Sequence, residues 1–311
     1  MAERVIIIGS GPAGLAAAIY TAREGFNPLV LAGSTGGGQL ELTTVVENMP
    51  GFPEGVNGPD LVAMMHRQAE KFGTRFVAED VTGVDFSSRP LKVKTDGKAY
   101  EANSVVIATG ASAKWLGLES EKKFIGKGVS SCGTCDGPFF KGRDVVVVGG
   151  GDTCMEDSLF LTRFVNSVTI VHRRGQFRAS KIMQERVLSN PKIKVMWNSV
   201  VQEIKGESSV KSVVIKDVQT NGSKELQVQG VFIAIGYQPN TSAFKGSLKM
   251  DDLGYLVTRD EVLTDIDGVF VAGDVADRFY RQAATASGAG VKAALRVRDY
   301  VSKLEYEKKL I

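Results

Sequence analysis

The segment RVIIIGSGPAG, residues 4–14, decides the fold class of this chain. Residues 4–8 predict a short buried strand, and the small residues that follow predict a helix packed closely on a sheet. Glycines at positions 9, 11 and 14 allow a dinucleotide pyrophosphate to approach the backbone at the positive end of that helix. Because a strand precedes these glycines and a helix follows them, a nucleotide site is favoured over a purely structural turn. The acidic residue usual after the next strand, 29–31, is replaced by Ala32 and Gly33.

A second segment, RDVVVVGGGDTC at residues 143–154, repeats this design. Residues 143–148 predict a strand and residues 152–164 a helix, with Cys154 at the third glycine position as a buried, inert thiol. The next predicted strand, 167–171, leads into HRRGQFR, where an NAD site would place a carboxylate. Its guanidinium groups predict bidentate contacts with a 2′-phosphate, and therefore NADPH rather than NADH. A solvated basic loop, with His172 as a merely packed ring, is the alternative; the arginines concerned are Arg173, Arg174 and Arg178.

Two of the three cysteines stand close together in SCGTCDG, residues 131–137. With so few cysteines there is no secreted disulfide framework, so Cys132 and Cys135 are expected to be redox-active or metal-binding. A zinc site needs more ligands, and Cys154, His66 and His172 do not stand at ligand spacing. No metal is therefore expected, and the pair predicts a relay of electrons from a nucleotide to sulfur.

Length and composition limit the remaining function classes. A chain of 311 residues predicts about two domains, and 43% hydrophobic with 23% charged residues is ordinary for a globular protein. The net charge of +3, without basic runs interleaved with aromatics, argues against a nucleic-acid partner. No apolar run approaches the ~18 residues that span a bilayer, and the first strand leaves no room for a signal peptide, so a cytoplasmic location is expected.

The last third of the sequence predicts a return to the first domain. Predicted strands at 104–108 and 231–235 bracket the second glycine segment, which indicates an insertion. In GVFVAGDV, residues 268–275, a strand ends at Asp274, whose carboxylate suits a ribityl hydroxyl. A helix of small residues, 283–294, can direct its N-terminus at an electron-rich flavin ring. The expected fold is α/β, with two Rossmann-like dinucleotide-binding domains, one inserted into the other.

With these motifs in order, the chain resembles the low-molecular-weight thioredoxin reductases, which use FAD and NADPH. The resemblance runs from the first strand to the last helix. The motifs that carry it are GSGPAG, GGQL at 37–40, ENMPGFP at 47–53, ATG at 108–110, CGTCDG, VVGGGD, HRRGQFRAS, AIGYQPN, AGDV and YRQA. The resemblance implies an FAD domain formed by residues 1–112 and 243–311, and an inserted NADPH domain, 113–242, that carries the cysteine pair.

The resemblance also implies site residues. The expected FAD contacts are Gly9, Ser10, Gly11, Pro12, Ala13, Gly14, Gly38, Gln39, Asn48, Val81, Ala108, Thr109, Gly110, Asp274, Arg281, Gln282 and Ala283. The expected NADPH contacts are Gly149, Gly151, Asp152, Thr153, His172, Arg173, Arg174 and Arg178. Cys135 is similar to the flavin-facing sulfur, Cys132 to the sulfur that attacks the partner's disulfide, and Asp136 to the proton donor.

The implied activity is that of a thioredoxin-disulfide reductase (EC 1.8.1.9). Hydride passes from NADPH to FAD, and two electrons then reach the Cys132–Cys135 disulfide and the disulfide of thioredoxin or a thioredoxin-like dithiol protein. A homodimer is implied by the family alone. Since nicotinamide and dithiol must reach one flavin, we expect the inserted domain to rotate about linkers near 111–117 and 238–243.

Two other activities share features with this sequence pattern. A flavin-dependent dithiol oxidase that uses oxygen would share the fold and the cysteine pair, but it would not need the arginines. A reductase of ferredoxin-type partners would dispense with the pair. Phe139 and Phe140, just after it, are equally well explained as docking aromatics and as core residues.

Overall fold

The computed structural model describes residues 2–310, which form two compact units. Unit 1 combines residues 2–112 with 238–310, and unit 2 comprises Ala113–Tyr237. The chain therefore leaves unit 1 once and returns to it once. Unit 2 is made from one continuous stretch of sequence, whereas unit 1 is made from two.

The elements are named in chain order. The first part of the chain contains β1 (Glu3–Ile8), α1 (Pro12–Arg23), β2 (Leu29–Leu31), β3 (Val45–Val46), β4 (Val56–Asn57), α2 (Gly58–Lys71), β5 (Arg75–Val77), β6 (Val81–Asp85), β7 (Leu91–Thr95), β8 (Ala99–Ile107) and β9 (Ala111–Ala113). The middle part contains α3 (Glu119–Phe124), β10 (Val129–Ser130), α4 (Gly133–Asp136), β11 (Asp144–Gly149), α5 (Asp152–Leu161), β12 (Ser167–Val171), α6 (Lys181–Leu188), β13 (Ile193–Met196), β14 (Ser199–Gly206), β15 (Val210–Asp217), β16 (Ser223–Gln227) and β17 (Gly230–Ala234). The last part contains β18 (Tyr237–Pro239), β19 (Val269–Val271) and α7 (Ala283–Tyr306).

The main sheet of unit 1 has the strand order β5-β2-β1-β8-β7-β6, and β19 also pairs with β8. Strands β5, β2, β1, β8 and β19 run parallel, while β7 and β6 are antiparallel additions. Successive side chains of β1 enter opposite faces: Val5 and Ile7 pack against α1 and α7, and Ile6 and Ile8 pack on the other side. Burial on both faces explains the unbroken apolar run of β1.

Unit 2 contains a parallel sheet of the order β10-β17-β11-β12-β13 and a separate antiparallel sheet, β14-β15-β16. Strand β11 divides its side chains as β1 does. Val145 and Val147 face α5, and Val146 and Val148 face a core shared with the antiparallel sheet. Both glycine segments thus follow the central strand of a parallel sheet, and the predicted α/β class is confirmed.

Two helices differ in length from their predicted spans. Helix α5 ends at Leu161 rather than at residue 164, because the Thr162 hydroxyl donates to the carbonyl of Leu159 and the chain turns there. Helix α7 continues to Tyr306 instead of ending near 294. Val297 and Val301 extend its buried face by one turn each and pack in the core that contains α1, so the helix gains apolar burial along this length.

Candidate functional site

The cysteine pair lies at the start of α4 in unit 2. Cys132 and Cys135 form a disulfide with their Cα atoms 5.3 Å apart, and both residues are half-buried. The sulfur of Cys132 accepts a hydrogen bond from the backbone N–H of Cys135 at 3.2 Å. The Tyr237 hydroxyl donates to the carbonyl of Ser131 at 2.8 Å and fixes the segment that enters the pair. The disulfide is therefore both rigidly held and open to exchange with a second dithiol.

Asp136 follows the pair directly, and its side chain is half-buried. Burial raises the pKa of Asp136, and a hydrogen bond with the Ser130 hydroxyl opposes this increase. Ser130 is itself buried and accepts the Cys132 N–H at 3.0 Å, so one hydroxyl links the redox segment to the acid. A carboxyl with a raised pKa beside a disulfide suits the donation of a proton to a sulfur.

The two aromatic residues after the pair have different surroundings. The Phe140 ring packs edge-on against Phe232 with ring centroids 5.1 Å apart, inside the core of unit 2. Phe139 is 41% exposed, which is unusual for a ring of this size. Of the two interpretations left open by the sequence, core packing therefore applies to Phe140, and Phe139 alone remains a candidate docking side chain.

The first glycine segment brings several backbones into close approach. A β-carbon at Gly9 would overlap the carbonyl of Ala108, and one at Gly14 would overlap the carbonyl of Gly9. A β-carbon at Gly38 would lie 3.4 Å from the Cα of Gly11. Gly38 also has a φ of +70°, a conformation that glycine adopts readily. The loop before the short helix Gly38–Leu42 therefore lies directly against the turn at Gly11, and the helix carries Gln39.

Side-chain hydrogen bonds join further predicted contacts within unit 1. The Ser10 hydroxyl donates to the carbonyl of Ala32 and accepts the N–H of Gly37, so it ties the end of β2 to the glycine loop. The Asn48 amide donates to the side-chain oxygen of Gln282 at 2.9 Å. Residues from the first and last parts of the chain thus meet in one place. Others remain at the periphery: Val81 opens the edge strand β6, and the Thr109 hydroxyl donates to the carbonyl of Asn240.

Asp274 is the residue of unit 1 whose surroundings best suit a hydrogen bond to a ligand. Its Oδ1 atom is buried and, within residues 2–310, has no hydrogen-bond partner. Burial raises the pKa of Asp274 to about 7; the nearby Asp277 carboxylate adds to this shift and Arg281 opposes it. A buried carboxyl oxygen without a partner is costly, and a ligand hydroxyl would satisfy it. This donor–acceptor match, together with the glycine approach at Gly9 and Gly11, fits the ribityl chain and pyrophosphate of FAD.

The second glycine segment has the same close approach in unit 2. A β-carbon at Gly149 would overlap the carbonyl of Ala234, whereas the position of Gly151 is open. Cys154 is fully buried, so its predicted burial is confirmed. Burial also raises the pKa of its thiol to about 12, which disfavours the reactive thiolate. Asp152 accepts both the N–H and the hydroxyl of Ser180 at 2.9 Å. Its carboxylate therefore positions the loop after HRRGQFR from the start of α5.

His172 is placed differently from the arginines that follow it. Its ring is buried, with Nδ1 2.7 Å from the carbonyl of Gly149 and Nε2 2.9 Å from that of Gln176. Both ring nitrogens are thus engaged with the backbone. Arg173, Arg174 and Arg178 are exposed, and in the described part of the chain no carboxylate forms a salt bridge with them. Three guanidinium groups beside a glycine turn suit an anionic ligand such as a 2′-phosphate.

One acidic residue at the first segment was not found from the sequence. Asp80, between β5 and β6, accepts the N–H of Ser34 at 3.0 Å, just after the end of β2. Hydrogen bonds from Ser34 lower the pKa of Asp80 and keep it ionised. The end of β2, where Ala32 and Gly33 replace the usual acidic residue, therefore does have a carboxylate beside it. That carboxylate is supplied by Asp80, from a later segment of the chain. The β2–β5 pairing that brings it there has no local signal in the sequence.

Among the described residues, no helix is both long enough and apolar enough to cross a bilayer.

Comparisons with known proteins agree on one family. The family model described as pyridine nucleotide-disulphide oxidoreductase matches residues 3–290. A thioredoxin reductase of Rickettsia conorii is 52% identical over 305 residues, covering 96% of this chain and 98% of the relative. One of Streptomyces clavuligerus is 51% identical over 306 residues, covering 97% and 95%. The solved thioredoxin reductase from Giardia duodenalis superposes with a TM-score of 0.92 at 40% identity, covering 96% of this chain and 98% of that one. The chain therefore belongs to the pyridine nucleotide-disulphide oxidoreductase family, among the low-molecular-weight thioredoxin reductases.

Proposed function

We propose that this protein reduces the disulfide of thioredoxin, or of a thioredoxin-like protein, with electrons from NADPH. The observation that carries the proposal is the half-buried Cys132–Cys135 disulfide beside the half-buried acid Asp136, whose pKa is raised. The same unit presents a glycine turn flanked by unpaired arginines. A dithiol, an acid and a nucleotide site in one unit are the parts that a disulfide reductase needs.

The two cofactor sites are assigned to different parts of the chain. Residues 1–112 and 243–311 are proposed to bind FAD, and residues 113–242 to bind NADPH and carry the redox pair. Asp274 would accept a ribityl hydroxyl, and the glycines near Gly11 would face the pyrophosphate. Arg173 and Arg174 would hold the 2′-phosphate, while His172 and Asp152 would position the surrounding loops. Bound FAD supplies a two-electron link between NADPH and a disulfide.

Cys132, Cys135 and Asp136, at the start of α4 and within it, carry out the thiol–disulfide exchange. Reduction of the disulfide breaks the S–S bond and consumes two electrons and two protons. Asp136, whose pKa is raised by burial, is placed to supply a proton to a departing thiolate. We assign the flavin-facing role to Cys135 and the attack on the partner's disulfide to Cys132. The Cys135 N–H that reaches the Cys132 sulfur would stabilise a thiolate there.

Rotation of the inserted domain between the two half-reactions belongs to the same proposal, since the redox pair has to serve both flavin and partner. We further propose a homodimer and a cytoplasmic location. The family resemblance supports the first. The cytoplasmic location is supported by the proposed activity, because a dithiol reductase operates in a reducing compartment.

An anaerobic assay with NADPH, thioredoxin and the FAD-loaded protein tests this function. NADPH oxidation is expected to match the appearance of thioredoxin dithiol in equal amounts, because no other electron acceptor is present. A dithiol oxidase would behave differently. It would leave NADPH untouched in the anaerobic assay. In a parallel aerobic assay it would consume oxygen while oxidising the thioredoxin dithiol, and those two results together would replace the proposal.

The assignment of Asp274 predicts a pH-dependent cost in the FAD-free protein. An aspartate in the unfolded chain has a pKa of about 3.9, whereas that of Asp274 is raised to about 7. Between these values the folded state keeps a proton that the unfolded state releases, so stability falls as the pH rises. Above pH 7 the loss reaches roughly 4 kcal/mol. Asp274→Asn, which cannot ionise, is expected to exceed wild type in stability at pH 8 and to match it near pH 4.

Denaturant unfolding of the FAD-free proteins at both pH values measures this difference. Asp96→Asn, at an exposed turn, is the control and should follow wild type at each pH. Saturating FAD is expected to reverse the order at pH 8, because a carboxylate accepts the ligand's hydroxyl more strongly than the amide oxygen of asparagine does. A constant gap between Asp274→Asn and wild type at all pH values would contradict the assigned titration.

A further inference from the structure

A second buried carboxylate, Asp157 on α5, lies beside the redox pair and has no part in the relay described above. Its side chain is only 7% exposed, whereas the preceding Glu156 is exposed. Burying a charged carboxyl group costs free energy. Because few waters screen a buried charge, it interacts strongly with the groups packed around it.

The Asp157 side chain packs directly on the first residue of α4. A β-carbon placed at Gly133 would lie 2.6 Å from Oδ1 of Asp157, 2.8 Å from its Cγ and 2.9 Å from its Cβ. Only a hydrogen atom fits between the carboxyl group and this backbone. Gly133 immediately follows Cys132 and stands two residues before Cys135. The carboxyl group therefore touches the short segment that joins the two sulfurs.

Several elements around Asp157 carry ionisable groups. Helix α6, which packs on α5, carries Lys181, Glu185 and Arg186, and strand β11 begins with Asp144. Helix α5 also carries the exposed acids Asp152 and Glu156. Helix α5 itself contributes Cys154, whose thiol pKa is raised by burial and also by the negative charge of Asp157. Helix α4 contributes Cys135 and Asp136, and Cys132 immediately precedes it. The turn Gly137–Phe140, which also packs on α5, contains no titratable side chain. Burial is the main cause of the raised pKa of the Cys154 thiol, and the Asp157 charge adds to it. The same carboxyl group contacts Gly133, between the two sulfurs of the redox pair.

We propose that Asp157 is a positioning residue that sets the reducing strength of the Cys132–Cys135 pair. Reduction breaks the S–S bond with two electrons and two protons, and the more acidic sulfur then releases one proton to become a thiolate. A fixed negative charge nearby makes that thiolate less favourable, so the disulfide is favoured at equilibrium. The dithiol consequently gives up its electrons more readily. The role of this effect in electron transfer to a partner protein rests on the proposed function. The thiol–disulfide equilibrium of Cys132 and Cys135 can be measured without it.

The test compares the full-length, FAD-loaded wild type with Asp157→Asn, Asp157→Ala and the matched control Glu156→Gln. Each protein is equilibrated anaerobically in a series of glutathione and dithiothreitol redox buffers. Maleimide then labels the exposed thiols of the folded protein, and mass spectrometry counts them; buried Cys154 stays unlabelled. Both neutral variants are expected to shift the equilibrium about tenfold toward the dithiol, or about 30 mV. The control is expected to match wild type.

The pH dependence of alkylation by iodoacetamide gives a second readout. The thiolate pKa of the neutral variants is expected to lie about one unit below that of wild type. An equilibrium within twofold of wild type in a folded neutral variant would overturn the proposal. Failure of both neutral variants to fold would also overturn it, by assigning Asp157 to stability. Loss of thioredoxin reduction by wild type, with the shift still present, would reject the proposed function alone.

Discussion

Replacement of Cys135 by serine is expected to lower NADPH-driven thioredoxin reduction at least about a thousandfold in kcat/KM. Serine cannot form the internal disulfide, so the variant has no protein acceptor for two electrons. The arginines and the glycine turn of unit 2 are untouched, and NADPH should still bleach the bound flavin. Anaerobic absorbance spectra and a thiol count on thioredoxin measure the two half-reactions separately.

Cys154→Ala is the matched control for this experiment, since it removes the third cysteine, which is fully buried and inert. It should retain wild-type turnover. The variants Cys135→Ser and Cys132→Ser, which each keep one sulfur of the pair, also test which sulfur attacks the partner's disulfide. A mixed disulfide with a thioredoxin variant that lacks its resolving cysteine is expected to form through Cys132 in Cys135→Ser. Trapping through Cys135 in Cys132→Ser alone would assign both steps to Cys135, and persistent turnover of Cys135→Ser would refute the relay.

Substitution of both Arg173 and Arg174 by alanine is expected to reduce kcat/KM for NADPH roughly 50-fold, with little change for NADH. A charge-assisted hydrogen bond contributes about 1.5–3 kcal/mol when sheltered, and less at exposed positions such as these. Two such contacts at about 1.2 kcal/mol each give the stated factor. The ratio of the two specificity constants, measured with thioredoxin or a small disulfide as acceptor, isolates the 2′-phosphate contribution.

Arg186→Ala provides the control, because this exposed arginine lies on α6, outside the segment HRRGQFR. It should leave both constants unchanged. Equal losses with NADPH and NADH in the double variant would show that the arginines support the loop rather than the phosphate. The same comparison separates their role from that of His172, whose substitution should impair both nucleotides by loosening the turn at Gly149.

Local sequence patterns predicted those parts of the fold that depend on local chemistry. Buried apolar runs followed by glycine placed β1 and β11 within one residue, and the strand before HRRGQFR was predicted with its observed bounds. Helix ends were less predictable. Helix α7 extends beyond residue 294 because α1, far away in sequence, buries its later turns. Such burial has no signature within a short window.

The site shows the same division. The cysteine pair and the inert Cys154 could be predicted because spacing and residue type carry the information. The positions of Asp80 and Asp157 could not, since each acts on a segment brought close only by tertiary packing. Asp152 was assigned to the nucleotide from its place in the glycine segment. The structure adds an internal partner, Ser180, that only the folded loop reveals.

The division of unit 1 between the two ends of the chain determines the order in which the protein folds during synthesis. Strand β8 needs β19 as a neighbour, and α1 needs α7 to cover it, and both partners are translated last. Unit 2, whose cores come from one continuous stretch, is complete well before then. Unit 2, which carries the redox pair, can therefore fold while the chain is still being synthesised and before the second part of unit 1 has been translated. During that interval the apolar faces of β1 and β8 that α7 and β19 later cover are still exposed, and such surfaces are prone to aggregation.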